Sequence, residues 1–67
     1  MSIGRNILRM REKQGMNQTQ LAKEVGVTQS AICQIEKGIR NPSLQVGSEI
    51  ARALGCSMED LLDERER

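Results

Sequence analysis

The sequence predicts an all-α fold, a compact bundle of five short helices built around a central pair. Apolar residues recur at the three- and four-residue spacing of helices, and glycines and capping residues divide the chain into short segments. No segment alternates apolar and polar residues over the length of a strand. With 67 residues, we expect a single domain, 1–67. A chain of this length buries only about 60% of its unfolded surface, so its core is small.

The first two predicted helices are separated by Gly15, which is expected to end the first one. Asn17 then offers an N-cap for the second helix, with Gln20 three residues later as its capping-box partner. Gly26 is expected to end the second helix. The apolar sides of the two helices consist of Ile3, Ile7 and Met10 in the first and of Leu21, Ala22 and Val25 in the second.

Thr28 is the expected N-cap of the third helix, and Gly38 is expected to end it. The fourth helix has two possible starts, because either Asn41 caps it with Pro42 at the first helical position or Ser43 caps it. The inward-facing residues are expected to be Ile32 and Ile35 in the third helix and Leu44, Ile50, Ala51 and Leu54 in the fourth.

A short fifth helix is predicted after Gly55, because Ser57 and Asp60 have the spacing of a capping box. Its apolar residues are Met58, Leu61 and Leu62. The charged residues 64–67 follow it and are expected to fray.

The composition argues against several kinds of site. The chain has no His and only two cysteines, Cys33 and Cys56, so a zinc site of four Cys/His ligands cannot be assembled and no metal or cofactor is predicted. The absence of Phe, Tyr and Trp argues against single-strand binding by base stacking. We expect no catalytic residues and no enzyme activity. No signal peptide or membrane span is recognisable, so a cytoplasmic protein with free thiols and no membrane contact is expected.

The charges are unevenly distributed along the chain. Residues 1–40 contain seven Lys/Arg against three Glu, a net charge of +4, whereas residues 41–67 contain three Arg against six acidic residues, a net charge of −3. Charged helix faces are most often simply solvated. The alternative is one surface suited to a polyanion and another turned away from it.

The most informative segment is N-Q-T-Q-L-A-K-E-V-G-V-T-Q-S-A-I-C-Q-I-E-K-G, residues 17–38. Two short helices are joined in it by Val25, Gly26 and Val27. Ala22 is small where the helices must cross closely, and Gly26 suits a left-handed turn position. This arrangement predicts a helix-turn-helix at about 18–37, whose second helix can lie in the major groove of DNA.

Roughly residues 3–63 resemble the Cro/phage-repressor (XRE) family of helix-turn-helix DNA-binding proteins. The resemblance rests on that segment, on M-R-E-K-Q-G before it, on I-R-N-P-S-L after it and on I-A-R-A-L-G-C-S-M-E-D-L-L. It implies a sequence-specific transcriptional regulator, of repressor or controller type, that binds a near-palindromic operator in double-stranded DNA as a homodimer. Phage repressors, restriction–modification controller proteins and antitoxins all fit, and the sequence does not choose among them.

The resemblance also implies roles for individual residues, with 28–37 as the recognition helix. Gln18 is expected to contact a phosphate and to meet the side chain of Gln29, and glutamine can bond bidentately to adenine. The expected base contacts come from Thr28, Gln29, Ser30 and Gln34. The expected phosphate contacts come from Gln18, Lys37, Arg40, Asn41 and Ser43, with Arg9 and Lys13 as weaker candidates. The alternative is that these are ordinary polar surface residues.

Arg11 and Glu36 stand at positions that usually pair in this family and tie the first helix to the end of the third. Such a pair fixes geometry more reliably than it adds stability. Cys33 falls on the outward side of the third helix, where we interpret it as a passive small residue. Cys56 is interpreted as a small core or boundary residue.

Three positions depart from the family pattern. Ile39 stands where Lys or Arg is usual, which removes a phosphate contact and exposes an apolar residue. Gly47 and Ser48 stand where large apolar residues are usual. The fourth helix is therefore expected to be either locally weak or closely approached by a neighbour, since Gly within a helix costs about 1 kcal/mol relative to Ala.

The homodimer surface is expected near the fourth and fifth helices, although the residues concerned could instead only complete the core. The candidates are Val46, Leu54, Met58 and Leu62. A second class of function is a protein-interaction module or antitoxin whose main partner is another protein. The neutral recognition helix and Ile39 favour that class, whereas the glutamines of the central segment favour DNA.

Overall fold

The computed structural model describes residues 3–62 and contains five α-helices within that range. They are α1 (Ile3–Lys13), α2 (Gln18–Val25), α3 (Gln29–Glu36), α4 (Leu44–Leu54) and α5 (Met58–Leu62). No strand occurs in this part of the chain, and the prediction of an all-α, five-helix fold is confirmed. The charged segment 64–67 lies outside the described residues.

The starts of α2, α3, α4 and α5 each have a side-chain cap that the local sequence specifies. The Asn17 side chain accepts from the backbone N–H of Gln20 at 2.8 Å, and the Gln20 side chain accepts from the backbone N–H of Asn17 at 2.9 Å, which completes a capping box before α2. Thr28 caps α3 by accepting from the N–H of Ala31 at 3.0 Å. Ser57 and Asp60 form the reciprocal pair before α5, both at 3.1 Å.

The start of α4, which the sequence leaves open, is at Ser43. Its hydroxyl accepts from the backbone N–H of Val46 at 3.1 Å, and its backbone is extended, with φ −66° and ψ 166°. Asn41 and Pro42 therefore belong to the loop between α3 and α4. Ser43 satisfies one of the unpaired N–H groups at the helix start.

One hydrophobic core receives side chains from all five helices. α3 packs against α1 and α2, α4 packs against α2, and α5 packs against α1 and α4. The largest fully buried side chains are Ile7, Leu21, Ile32, Ile50, Leu54 and Leu61. The predicted inward position of Leu44 is wrong, because this side chain is 80% exposed. Successive residues of a helix are 100° apart, so Leu44 lies about 70° from the centre of the buried stripe of α4. It is also on the first turn of α4, where none of the described helices covers it.

Two buried glycines allow helices to approach each other. A Cβ at Gly4 in α1 would lie 1.9 Å from the carbonyl oxygen of Ile35, so the backbones of α1 and α3 are in direct contact there. A Cβ at Gly47 in α4 would lie 3.2 Å from the terminal methyl of Met58 in α5. α4 continues through Gly47 without a break, and the predicted close approach of a neighbour is present there in the form of Met58.

Candidate nucleic-acid interface

A tight three-residue turn fixes α2 against α3. α2 ends at Gly26, whose φ of 86° is a left-handed conformation that favours glycine. The N–H groups of Gly26 and Val27 both donate to the carbonyl of Ala22, at 2.8 and 3.0 Å. Ala22 itself is buried, so its small side chain lies where α2 packs against its neighbouring helices. The turn thereby sets the position of the whole of α3.

α3 has one buried side and one exposed polar side. Ile32, Ile35 and Glu36 are buried, and Cys33 is half-buried. The four side chains predicted to contact bases are all exposed. Thr28 is at the N-terminal cap position, and the helix itself carries Gln29, Ser30 and Gln34. Apart from Glu36, these residues and the rest of α3 carry no formal charge.

The loop after α3 carries two exposed cations, Lys37 and Arg40. The chain turns at Gly38, where φ is 79°, and the N–H of Ile39 donates back to the carbonyl of Gln34 at 3.0 Å. The predicted phosphate contacts in this loop are all exposed: Lys37, Arg40, Asn41 and Ser43. Gln18, the remaining candidate, is half-buried at the start of α2. The two cations of this loop therefore follow α3 in the chain and are not part of that helix.

The two weaker phosphate candidates lie on α1 and differ from each other. The Arg9 guanidinium donates to the Asn6 side chain at 2.7 Å. The Asn6 amide is buried and donates in turn to the carbonyl of Leu61 at 2.7 Å. Lys13 is exposed at the end of α1. Arg9 is thus bonded to the side chain, Asn6, that joins α1 to α5.

A buried ion pair joins α1 to the end of α3. Arg11 Nε donates to Glu36 Oε2 at 2.7 Å, and Arg11 Nη2 donates to Glu36 Oε1 at 3.1 Å. The two side chains are only 9% and 3% exposed. Arg11 Nη1 also donates to the carbonyl of Met16 at 2.8 Å. The hydrogen bond to Glu36 raises the pKa of Arg11 above its ordinary value, although burial acts in the opposite sense.

The ion pair continues into a hydrogen-bonded chain that ends on the exposed side of α3. Gln18 Nε2 donates to Glu36 Oε1 at 2.9 Å. Gln29 Nε2 then donates to Gln18 Oε1, also at 2.9 Å. The resemblance implied the contact between the two glutamines, whereas the bond between Gln18 and Glu36 was not predicted. We call Arg11, Glu36, Gln18 and Gln29 the polar chain.

The cysteines are free thiols and are both half-buried. Burial raises the pKa of the Cys56 thiol, and the negative charge of Asp60 adds to this effect. Within residues 3–62, no cluster of three or more His, Cys, Asp or Glu side chains could hold a metal ion. Over the same range, every helix is too short or too polar to cross a membrane.

Three large apolar side chains of the described residues are exposed, Ile39, Leu44 and Leu62. Leu44 and Leu62 are 80% and 58% exposed. Leu44 and Leu62 line a groove of about 340 Å³ together with Ile3, Asn41, Pro42, Ser43, Gly47 and Met58. The prediction that Leu54 belongs to an exposed contact surface is wrong, because it is 2% exposed and completes the core. Val46 and Met58 are half-buried, and Leu62 is exposed.

Comparison with known families matches residues 7–61 to the helix-turn-helix family model. An uncharacterised HTH-type transcriptional regulator of Archaeoglobus fulgidus is 47% identical over 55 residues, which cover 82% of this chain and 79% of that protein. The match therefore spans the central pair of helices and most of the bundle around it.

Solved structures of DNA complexes have the same fold. The P22 c2 repressor in complex with a synthetic operator matches with a TM-score of 0.90 and 32% identity, over 97% of this chain and 98% of that one. SinR in complex with DNA matches with a TM-score of 0.85 and 34% identity, over 91% and 98%. A complex of SinR with the SinI protein matches with a TM-score of 0.87 and 35% identity, over 92% and 61%.

Proposed function

The chain belongs to the helix-turn-helix family, and from this premise we propose that it binds a near-palindromic operator as a homodimer, with α3 in the major groove. It is a DNA-binding transcriptional regulator of the repressor type, and regulators of this family are not enzymes. The observation that carries the proposal is the exposed polar side of α3, on which Gln29 is already held by Gln18.

Base reading is assigned to neutral side chains. Gln29 and Gln34 each offer an amide that can bond adenine N6 and N7 together, which is worth about 1–3 kcal/mol of discrimination per good pair. Thr28 and Ser30 add hydroxyl groups at the start of the helix. The Thr28 oxygen accepts from Ala31, so its hydroxyl hydrogen remains to be donated to a base.

Phosphate binding is assigned to the loop after α3 and to the start of α2. Lys37 and Arg40 are exposed there and supply charge, while Asn41, Ser43 and Gln18 supply polar groups. Such contacts fix the position of the protein on the duplex and make affinity fall with salt, but they carry no sequence information. Ile39 in the same loop has no polar or charged side-chain group with which to bind a phosphate.

The dimer surface is assigned to the apolar side chains Leu44, Met58 and Leu62 of this groove, whereas its polar residues Asn41 and Ser43 stay assigned to phosphate. Apolar surface left exposed by a small domain is a common contact site. Met58 and Leu62 line the groove and stay as candidates, as does Val46, which does not line it. Leu44 joins them because it is the most exposed large apolar side chain described. Two copies joined here would present two α3 helices to half-sites about 34 Å apart.

Selection of bound sites from random duplex DNA tests the assignment of base contacts. We expect a symmetric motif with A·T pairs beneath Gln29 or Gln34. The Gln29→Ala variant should relax the motif at one position in each half-site, whereas Lys37→Ala should weaken binding to all sequences alike. An unchanged motif for Gln29→Ala would exclude the assignment of that residue.

Sedimentation equilibrium without DNA tests the dimer surface. Leu44→Gln should weaken self-association and lower affinity for a full operator more than for a half-site. The matched control is Ile39→Gln, the same change at an exposed apolar residue that does not line the groove. Equal effects of the two substitutions on self-association would contradict this assignment.

A second candidate function is that of a protein-interaction module or antitoxin whose main partner is another protein. The exposure of Ile39, 72%, favours it, as does the solved complex of the similar protein SinR with SinI. Titration of random duplex DNA at low salt separates the two functions. Salt-dependent binding supports the DNA-binding function, and no binding at all supports the protein partner.

A further inference from the structure

Glu36 lies at the buried end of the polar chain, and Gln29 lies at its exposed end. We infer that Glu36 is a positioning residue whose carboxylate fixes the direction in which Gln29 presents its amide, and thereby selects adenine at the base pair beneath Gln29. This inference rests on the proposed role of Gln29 in base reading. The inference adds Glu36, a buried residue, to the residues that determine base preference.

The direction of the chain follows from hydrogen-bond capacity. A carboxylate held by a guanidinium offers only acceptors, and both Glu36 oxygens already accept from Arg11. An amide has one donor end and one acceptor end. Gln18 must therefore turn its Nε2 toward Glu36, because its oxygen would face a second acceptor there.

The same constraint passes to the next amide. With Nε2 directed at Glu36, Gln18 has its oxygen at the other end, and this oxygen accepts from Gln29. Gln29 must then direct its own Nε2 toward Gln18. One N–H of Gln29 is used in this bond, and the second N–H and Oε1 remain for a base. Both amide orientations are thus decided by one buried carboxylate, 3% exposed.

The fixed orientation favours one base. In the major groove, adenine presents a donor at N6 beside an acceptor at N7, which matches the oxygen and the N–H of a glutamine amide in one orientation only. A reversed Gln29 amide would place its oxygen against N7 and its N–H against N6. A glutamine free to rotate could adopt either orientation and would discriminate less between bases.

Burial decreases along the polar chain, which suits a positioning role. Glu36 is buried, Gln18 is half-buried and Gln29 is exposed. The buried end is held by Arg11, which is also anchored on the Met16 carbonyl. The exposed end thereby gains a defined orientation before DNA arrives, which lowers the entropy lost on binding.

Nuclear magnetic resonance of the free protein tests the positioning directly. In the wild type, the Gln29 side-chain amide should be less mobile than that of Gln34, which is exposed on the same helix. The Gln18→Met substitution should make the two amides equally mobile. The matched control is Gln45→Met, the same change at an exposed glutamine of α4. A Gln29 amide that keeps its low mobility in Gln18→Met would overturn the inference, whatever the DNA data show.

A double-mutant cycle on base preference tests the role of Glu36. Operators with each of the four base pairs beneath Gln29 are compared for Glu36→Gln, for Gln18→Met and for both together. Each single change should reduce the preference for adenine roughly fivefold or more. The double variant should lose no more preference than either single variant, even where Glu36→Gln also lowers stability. If Glu36 serves the fold alone, its substitution will weaken all four operators equally.

The failure of this inference can be distinguished from the failure of the proposed function. If Gln29→Ala abolishes the adenine preference but Gln18→Met leaves it intact, Gln29 reads the base without positioning by Glu36. If Gln29→Ala leaves the preference intact, the base-reading role of Gln29 is itself wrong, and the inference falls with it.

Discussion

The two sides of this small bundle are built differently. Where α1, α2 and α3 meet, polar groups form a continuous chain and two backbones are in direct contact at Gly4. Between α4 and α5, the neighbour of the buried Gly47 is the flexible end of Met58, and large apolar side chains remain exposed. The first side therefore adds directional bonds to the shared apolar core, whereas the contact of α4 with α5 at Gly47 is apolar and adaptable.

The two kinds of contact suit the two proposed tasks, which are base reading on the first side and apolar association on the second. Reading base edges requires donors and acceptors at fixed positions, because a hydrogen bond weakens steeply when its angle or distance departs from the optimum. An apolar contact is not directional and tolerates small adjustments. Substitutions on the first side should therefore be costly, and comparable substitutions on the second side should be mild.

Arg11→Met should have the largest effect. It leaves the Glu36 carboxylate buried without its cationic partner, and breaking a buried pair in this way costs about 3–5 kcal/mol. Chemical denaturation followed by circular dichroism measures the loss in the free energy of unfolding. The control is Arg52→Met, the same change at an exposed arginine of α4, which should stay within about 0.5 kcal/mol of the wild type. A similar loss for both variants would remove the contrast between the two sides.

Gly4→Ala should have the second largest effect. The added Cβ would meet the Ile35 carbonyl, and backbone atoms cannot rotate away as a side chain can. We expect a loss of about 1–3 kcal/mol in the free energy of unfolding, although alanine is the better helix former. Thermal unfolding of Gly4→Ala checks the value. A variant as stable as the wild type would show that α1 can shift on α3 at little cost.

Ile39→Lys should strengthen DNA binding without changing sequence preference. It adds a cation to the loop that already carries Lys37 and Arg40. One more phosphate contact should steepen the dependence of log affinity on log salt by about 0.9. Binding to random and selected duplexes over a series of salt concentrations provides the measurement, with Ile39→Gln as the uncharged control. An unchanged slope would place residue 39 away from the phosphates.

Gly47→Ala should have the smallest effect and forms a matched pair with Gly4→Ala. The same substitution is made in a buried helical glycine, but the group it meets is the terminal methyl of Met58 at 3.2 Å. A methionine end can move by a few tenths of an ångström, and alanine gains about 1 kcal/mol of helix propensity. The free energy of unfolding should therefore change by no more than about 1 kcal/mol. A loss as large as that of Gly4→Ala would mean that α4 and α5 are packed as rigidly as α1 and α3.

Local features could be predicted from the sequence, whereas contacts between distant segments could not. The Asn17, Thr28 and Ser57 caps were predictable because each bonds a residue only three positions away. The exposure of Leu44 was missed because periodicity does not show where a buried stripe ends. The role of Gly4 was not predicted, because nothing in the local sequence indicates that α1 crosses α3 at Ile35, thirty-one residues further along.

The same limit applies to the candidate site. The exposed side of α3 follows from helical periodicity and from the turn at Gly26, so the grouping of Gln29 with Gln34 could be predicted. The pairing of Arg11 with Glu36 came from family resemblance and not from spacing. The bond from Gln18 to Glu36 depends on the crossing of α2 and α3, which the sequence does not encode in any local pattern.

The separation of the uncharged exposed side of α3 from the charged loop has a consequence for competition between DNA sites. If charge acts only on phosphates, a rise in ionic strength lowers affinity for every sequence by the same factor. The ratio between a preferred and a poor operator would then stay constant while total occupancy falls. Such a regulator would keep the ranking of its targets under changing salt, and ionic conditions would set only how much protein is needed to fill them.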